Sequence, residues 1–245
     1  MGKLISYPIS LIAMLIFLFF LVLFHPIQFI CLHVFGYRAH KNSVDILNFF
    51  LVGCTNLLGT QYKLENFDNI PKNKSLLFVA NHQSMFDIVA LIWFLRKFDF
   101  KFVSKIELGK GIPSVSYNLR NGGSVLIDRN NPKKAIADIK VFAESLEVNK
   151  RSALIFPEGT RSKTGVPKKF YESGLKTLCE YFPSGTIVPI TINNSWKMHK
   201  YKSFFPFGLG VKIKYTFHEA LKISEYSFDD LFERTKTDII GDVQI

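Results

Sequence analysis

The sequence predicts an α/β fold: a mixed, mostly parallel sheet flanked by helices, with an N-terminal hydrophobic membrane-anchoring helical segment. Two observations support this prediction. From Gln61 onward, short apolar runs with the length of buried strands alternate with longer runs of helical character. Before Gln61 the chain is long, apolar and almost free of charge. We therefore expect an anchoring segment over residues 1–60 and an α/β domain over residues 61–245.

The anchoring segment contains no Asp, Glu, Lys or Arg between Lys3 and Arg38. Residues 4–24 alone supply the roughly 20 apolar residues that cross a bilayer core. A cleaved signal peptide has an apolar run of only about 7–15 residues and a small-residue cleavage site. The length of this run and the lack of such a site favour a retained anchor over a signal peptide or a buried soluble helix. Residues 44–58 are more polar and indicate an interfacial helix or the return arm of a hairpin.

The elements of the α/β domain are predicted from the alternating runs. Strands are predicted over 76–80, 100–104, 124–127, 153–156, 186–192 and 211–217, and helices over 88–97, 132–146, 170–182 and 226–240. Pro132 suits the first turn of its helix. Pro189 lies inside an apolar strand, which predicts that this strand occupies an edge or a bulge and not a central position.

The composition indicates an anionic partner. The 245 residues include 31 Lys and Arg against 20 Asp and Glu, a formal charge of +11, while 48% are hydrophobic and 15% aromatic. Such a charge suits nucleic acid, a phospholipid surface or a phosphorylated substrate, and the apolar content favours the membrane. The three cysteines are far apart and have neither metal-ligand spacing nor a disulfide framework.

The most informative stretch is residues 81–87, NHQSMFD, between a predicted strand and a predicted helix. It places His82 and Asp87 at a strand–helix junction, where α/β sheets carry reactive groups. A His with a carboxylate partner can take a proton from a hydroxyl, because the carboxylate fixes the tautomer and stabilises the imidazolium. The alternative is helix capping by Asn81 or Ser84, with no chemical role for His82.

A second stretch, residues 156–162 (FPEGTRS), follows another predicted strand. Its turn carries Glu158, Gly159, Thr160 and Arg161, and Arg is well suited to bidentate phosphate contact. The alternative is a solvated turn with an ion pair.

Two further cationic residues follow predicted strands, Lys105 after the second strand and Arg129 after residues 123–128 (GSVLID). Taken singly, each fits a solvated surface residue as well as a site residue.

A basic and aromatic stretch covers residues 160–215, with ten Lys and Arg against two acidic residues. It suits anionic lipid headgroups or a negatively charged carrier, and single-stranded nucleic acid is the alternative. The anchoring segment favours lipid, and no nucleic-acid motif is found. The aromatic residues are Trp196, Tyr201, Phe204, Phe205 and Phe207, interleaved with Lys197, Lys200 and Lys202.

Four blocks, in order, make the chain resemble the 1-acylglycerol-3-phosphate acyltransferases of the glycerolipid acyltransferase superfamily. Residues 81–87 match N-H-x-x-x-x-D, and residues 156–162 match F-P-E-G-T-R-S in full. Residues 123–129 match G-x-x-F-I-D-R, with Leu126 where Phe is usual, and residues 188–190 match V-P-I. The resemblance covers roughly residues 60–220, and it implies the α/β fold of that superfamily.

The resemblance also implies a reaction and roles for residues. Members transfer an acyl chain from acyl-CoA or acyl-carrier protein to a glycerol hydroxyl, here the sn-2 hydroxyl of 1-acyl-sn-glycerol-3-phosphate, giving phosphatidic acid. His82 would be the general base and Asp87 would orient it, with no acyl-enzyme intermediate. Backbone N–H groups after His82 would support the oxyanion. The remaining site residues, which would bind the acceptor's glycerol phosphate, are Lys105, Arg129, Glu158, Gly159, Thr160 and Arg161.

The same resemblance implies no metal and no redox cofactor, only the bilayer, a lysophospholipid acceptor and the acyl thioester as partners. By the positive-inside bias, the basic domain is expected on the cytoplasmic side of the inner membrane. Two alternatives stay open. The acceptor is a different one, such as lysophosphatidylglycerol, a lysocardiolipin, a lyso-ornithine lipid or glycerol-3-phosphate, or the chain is an inactive lipid-binding protein.

Overall fold

The computed structural model describes residues 2–72, 74–199 and 205–245. Its strands are β1 (Gln61–Glu65), β2 (Leu76–Ala80), β3 (Phe100–Lys105), β4 (Val125–Ile127), β5 (Ser152–Ile155), β6 (Thr186–Asn193), β7 (Lys212–Phe217) and β8 (Leu221–Lys222). Its helices are α1 (Gly2–Leu57), α2 (Phe86–Phe94), α3 (Val115–Asn121), α4 (Pro132–Asn149), α5 (Glu172–Tyr181) and α6 (Phe228–Gly241). The predicted residues Lys200, Tyr201, Lys202 and Phe204 lie outside the described residues.

The sheet is mixed and mostly parallel, as predicted. Its strand order is β1-β7-β6-β2-β5-β3-β4, with β8 beside β6. The pairs formed by β2, β5, β3 and β4 are parallel, and β7 runs antiparallel to β6. Parallel neighbours deliver their carboxyl ends to one edge of the sheet, and ligands of open α/β sheets bind at that edge.

The helices cover both faces of the sheet. A hydrophobic core lies on each face of the sheet, and successive residues of β2 point into one core or the other, because side chains alternate along a strand. Phe78 packs with Phe86 of α2 and Leu119 of α3. Leu77, on the opposite face, packs with α4, α5 and α6.

Helix α1 is a hairpin of two helical arms. Gly36 interrupts it with φ 80° and ψ −174°, a conformation essentially restricted to glycine. The first arm is residues 2–35 and the second arm is residues 37–57. Phe20 of the first arm stacks on Phe50 of the second with ring centroids 4.4 Å apart, so the second arm returns along the first. This geometry agrees with the return arm that the polar second stretch predicted.

The hairpin shares a core with the sheet and also exposes an apolar surface. Ala13 and Leu58 belong to the same buried cluster as Phe86. Outward-facing residues such as Leu15 and Phe19 are 56% and 59% exposed. The span Lys3–Leu57 is long and apolar enough to cross a membrane. The division of the chain at residue 60 stays a prediction.

The prediction that the strand with Pro189 is not central is wrong, because β6 lies between β2 and β7. The bulge offered in the same prediction is present, since two residues of β6, 188 and 189, lie opposite three residues, 218–220. The physical reason is local. The carbonyl of Pro189 accepts the N–H of His218, 3.0 Å away, so the proline nitrogen faces the same side. On that side the neighbouring chain passes from β7, which pairs from Ile190 onward, to β8, which pairs up to Ile187. The missing N–H therefore falls at a gap in the ladder.

Candidate active site

The predicted blocks meet at the carboxyl edge of the sheet. His82 follows β2, Lys105 ends β3, Arg129 follows β4, and the loop of residues 156–162 follows β5. Since the strand order here is β2-β5-β3-β4, the loop with Glu158 lies between the loop with His82 and the end of β3. The parallel topology thus gathers groups from distant parts of the chain.

His82 and Asp87 are hydrogen bonded, with Nδ1 of the ring 2.9 Å from Oδ2 of the carboxylate. The side chain of His82 is 12% exposed and that of Asp87 is fully buried. An ionised carboxylate only accepts hydrogen bonds, so Nδ1 carries the proton and Nε2 presents a lone pair. This arrangement leaves His82 in the tautomer that a general base requires.

Asp87 also organises the turn before α2. Its Oδ2 accepts the backbone N–H groups of Gln83 and Ser84, each at 2.8 Å. The N–H of Phe86 donates to Oγ of Ser84, and the N–H of Asp87 donates to the Ser84 carbonyl. These four N–H groups are therefore occupied within the turn. The expectation that N–H groups at this helix start stabilise an oxyanion is not met by these four.

The base of the turn is fixed to the sheet by Asn81. Its side-chain amide donates to the carbonyl of Ile192, 2.9 Å away, and its oxygen accepts the Ile192 N–H at 2.7 Å. Asn81 thus bridges from the end of β2 to β6 and does not cap α2. One alternative to a chemical role for this stretch, capping by Asn81, is thereby excluded.

Glu158 fixes the loop after β5 to His82. One carboxylate oxygen accepts the N–H of His82 and the other accepts the N–H of Lys168, both at 2.8 Å. Glu158 is 2% exposed, and burial raises the pKa of its carboxyl although the two N–H groups oppose the shift. The N–H of Ser162 also donates to the His82 carbonyl at 2.7 Å. Glu158 therefore positions the backbone that bears His82.

The rest of this loop is held by cations. The guanidinium of Arg129 donates to the carbonyl of Gly159, whose φ of 66° lies in the left-handed region that favours glycine. Lys168 donates to the hydroxyl of Thr160 at 2.9 Å. Arg129, Gly159 and Thr160 thus lie together, with donor capacity remaining on the guanidinium, which has five N–H groups.

Two predicted cations have no polar partner among the described residues. Lys105 is half-buried at the end of β3, and Arg161 is exposed on the loop after β5. A buried or partly buried cation needs a counter-charge or water. Neither side chain is therefore occupied by another described residue at this edge of the sheet.

The structure adds residues that the sequence analysis missed. The ring of His82 stacks on Phe156 with centroids 4.1 Å apart, which holds its plane. Ser84 Oγ lies 3.4 Å from Nε2 of His199. Behind Asp87, burial and then the carboxylate charge raise the pKa of Tyr215. Phe156 belongs to a matched block, but the approach of His199 and Tyr215 depends on long-range packing and has no local signal.

Comparison with known proteins identifies the family. A family model described as acyltransferase matches residues 61–193, more than half of the chain. A 1-acyl-sn-glycerol-3-phosphate acyltransferase of Helicobacter pylori is 36% identical over 177 residues, covering 69% of this chain and 72% of that protein. One of the same name from Borreliella burgdorferi is 29% identical over 190 residues, covering 75% and 72%.

A solved structure shows the same fold. It is the 1-acyl-sn-glycerophosphate acyltransferase PlsC of Thermotoga maritima, with a TM-score of 0.75 and 22% identity, covering 96% of this chain and 94% of that one. The fold likeness extends over nearly the whole chain, including the hairpin. The chain therefore belongs to the acyltransferase family, together with the 1-acyl-sn-glycerol-3-phosphate acyltransferases it resembles, and is an enzyme of that family.

Proposed function

We propose that this enzyme transfers an acyl chain from acyl-CoA or acyl-carrier protein to the sn-2 hydroxyl of 1-acyl-sn-glycerol-3-phosphate and forms phosphatidic acid for phospholipid biosynthesis. The names of its relatives support the acceptor and the product. The observation that carries the mechanism is the 2.9 Å contact between Nδ1 of His82 and Asp87, which leaves Nε2 as the basic nitrogen.

The chemistry needs a single proton carrier. As the sn-2 oxygen bonds to the thioester carbonyl carbon, its proton moves to Nε2 of His82. The buried carboxylate of Asp87 stabilises the imidazolium that forms. When the tetrahedral intermediate breaks its C–S bond, the leaving thiolate takes the proton from His82. The products are phosphatidic acid and the free thiol, and no residue is acylated.

The acceptor phosphate needs cations that are not already paired. Arg161 and Lys105 meet this requirement: Arg161 lies on the loop next to that of His82, and Lys105 lies at the end of β3, the strand beyond that loop. Arg129, Gly159 and Thr160 complete the site by shaping the loop that carries Arg161. Glu158 contributes by holding that loop against His82, because both its oxygens are occupied by backbone N–H groups.

The membrane supplies the acceptor. The exposed apolar surface of the hairpin suits contact with a bilayer, and the positive charge suits its cytoplasmic face. An enzyme held there meets a lysolipid without extracting its chain from the bilayer. The reaction requires no metal and no redox cofactor in this scheme.

The reaction is tested with membranes that contain the full chain, labelled acyl-CoA or acyl-carrier protein, and a panel of lysolipids. We expect label in phosphatidic acid with the wild-type protein and its loss with His82→Ala, while His33→Ala, on the exposed side of the hairpin, retains activity. Transfer to lysophosphatidylglycerol in preference to 1-acyl-sn-glycerol-3-phosphate would mean that the acceptor is lysophosphatidylglycerol. No transfer to any acceptor would overturn the proposal.

The phosphate site is tested by kinetics. Arg161→Ala is expected to raise the KM for the lysolipid by roughly 10-fold or more with little change in the KM for the thioester, since a charge-assisted hydrogen bond contributes about 1.5–3 kcal/mol. Exposed Lys163→Ala, on the same loop, serves as the matched control. Equal effects on both KM values would remove Arg161 from the acceptor site.

A further inference from the structure

A second polar site lies at the opposite edge of the sheet from His82. It is a cavity of about 40 Å³ where the start of the second arm meets the start of β3, and we call it the tip cavity. Because β3 runs parallel to its neighbours, its amino end lies away from the carboxyl edge that bears His82. The polar lining includes Tyr37, His40, Lys41, Arg96, Asp99 and Lys101.

The tip cavity has more cations than acids. Asp99 is shared by Lys101, whose Nζ lies 2.9 Å from it, and by Arg151 at 4.0 Å. Lys101 is only 7% exposed, and burial lowers its pKa. Arg96 stacks on the ring of Trp93 at 3.9 Å and donates to its carbonyl. Arg96 forms no direct ion pair with a described carboxylate, although it lies close enough to Asp45 for their charges to interact.

The remaining pair does not change this balance. Lys41 and Asp45, one turn apart on the second arm, form an ion pair. Four cations therefore face two carboxylates, counting Arg151 beside the cavity. Only Lys101 is buried among these groups and the others are partly exposed, so the excess positive charge favours binding of an anion at a partly buried site.

The tip cavity also contains an unsatisfied polar group. His40 is 1% exposed, and its Nε2 has no hydrogen-bond partner within the described part of the chain. The hydroxyl of Tyr117, whose ring lies 5.8 Å from that of His40, is unpartnered and buried as well. A buried donor or acceptor left unpaired costs about 1–3 kcal/mol, so such groups ordinarily contact water or a ligand.

The size and surroundings select the ligand. One water molecule needs roughly 10–15 Å³ of such space, so about 40 Å³ admits a group of the size of a phosphate. Guanidinium and ammonium groups are the usual partners of phosphate oxygens. Just before Tyr37, Val34 and Phe35 are 67% and 69% exposed, and the next residue after Tyr37, Arg38, is an exposed cation.

We propose that the tip cavity binds a phosphate group, that of an anionic phospholipid whose chains lie against the exposed apolar residues of the hairpin. The lipid would hold the hairpin to the start of β3 and fix the protein's depth in the membrane. This site is separate from the proposed acyl transfer, because it lies at the other end of the sheet from His82. It therefore stands or falls independently of that reaction.

The site is tested by binding to the full-length chain in detergent. Native mass spectrometry measures retention of phosphatidylglycerol, with phosphatidylcholine as the lipid control, and calorimetry measures binding of inorganic phosphate. Arg96→Gln and Lys101→Met remove cations from the tip cavity. Lys97→Gln removes the same charge from an exposed neighbour of Arg96 and is the matched control.

We expect both cavity variants to bind phosphatidylglycerol roughly 10- to 100-fold more weakly than wild type, as for loss of a charge-assisted hydrogen bond, and Lys97→Gln to match wild type. Unfolding temperatures identify a variant that fails to fold, and Arg96→Gln then decides, because its side chain is only half-buried. If wild type binds inorganic phosphate and not phosphatidylglycerol, and the cavity variants weaken that binding, the tip cavity is a phosphate site whose ligand is free phosphate and not a lipid. Equal phosphatidylglycerol and phosphate binding by wild type and folded cavity variants would overturn the proposal.

Discussion

At the scale of single residues, Glu158 holds the backbone on which His82 sits. Glu158→Gln leaves one acceptor oxygen for two N–H groups, so the N–H of His82 or of Lys168 loses its partner. We expect the variant to lose about 1–3 kcal/mol of unfolding free energy. We also expect a lower kcat with little change in KM, measured by urea unfolding and steady-state kinetics.

The matched control is Glu172→Gln, because Glu172 is an exposed residue in the first turn of α5. Its unfolding free energy should change by no more than about 0.5 kcal/mol. The sequence predicts instead that Glu158 binds the acceptor. That role would be supported if Glu158→Gln raised the KM of the acceptor and left the unfolding free energy unchanged.

His218 makes stability depend on pH. The Thr191 hydroxyl donates to the Ile239 carbonyl, so Nε2–H of neutral His218 donates to that hydroxyl, 2.7 Å away. Burial lowers the pKa of His218 below its ordinary 6.5. The unfolded chain therefore binds this proton at higher pH than the folded chain does. The stabilisation is fully present above about pH 6.5 and is lost as the pH falls towards the lower folded pKa.

The measurement is urea unfolding at several pH values with His218→Asn, which keeps a hydrogen-bond donor and does not titrate. Wild type is expected to lose more unfolding free energy between about pH 7.5 and pH 5.5 than the variant does. Identical slopes for the two proteins would show that His218 is not the titrating group.

At the scale of elements, Gly36 determines the shape of the hairpin. Its backbone lies at φ 80° and ψ −174°, where a side chain is strained even though a Cβ would meet nothing within 4 Å. Gly36→Ala is expected to cost about 1–3 kcal/mol through backbone strain alone. The measurement is the unfolding temperature in detergent.

The control uses a second glycine of the same helix. Gly53 lies in the second arm with ordinary helical geometry, and a Cβ there also meets nothing within 4 Å. Gly53→Ala should therefore be neutral or stabilise by roughly 0.5–1 kcal/mol. Equal effects of the two substitutions would contradict the assignment of Gly36 as a strained turn.

At the scale of the whole molecule, we expect the exposed apolar surface of the hairpin to face the membrane. Leu15→Lys is expected to weaken binding to phospholipid vesicles by roughly 10-fold, because burying one such side chain contributes about 1.5–3 kcal/mol. Val141→Lys, at an exposed apolar position on α4, is the control and should bind as wild type does. Cosedimentation measures both. Equal loss would place the membrane contact elsewhere.

Much of this architecture was predictable from local patterns. The strands from β2 to β7 and the helices α2, α4, α5 and α6 match predicted runs, because apolar strands and amphipathic helices are encoded over a few residues. Strands β1 and β8 and helix α3 were not predicted. Tyr62 and Lys63 give β1 only a weak apolar alternation, and α3 is a seven-residue helix between glycine-rich turns.

The sequence by itself determined which candidate groups the site contains and where they lie along the chain: His82 and Asp87 at a strand–helix junction, and the cations at other strand ends. It also determined that an apolar segment precedes the sheet. These properties depend on residue type and short spacing, which the chain carries directly.

Only the tertiary structure decided which of these groups are bonded within the protein and which are not. Both oxygens of Glu158 accept backbone N–H groups and so hold the loop in place, whereas Arg161 has no polar partner among the described residues. The central position of Pro189 and the charge excess of the tip cavity were decided in the same way. Each depends on which distant segments become neighbours, and that is settled by strand order and by the fold of the hairpin over the sheet. Long-range packing of this kind has no signature in a short stretch of sequence.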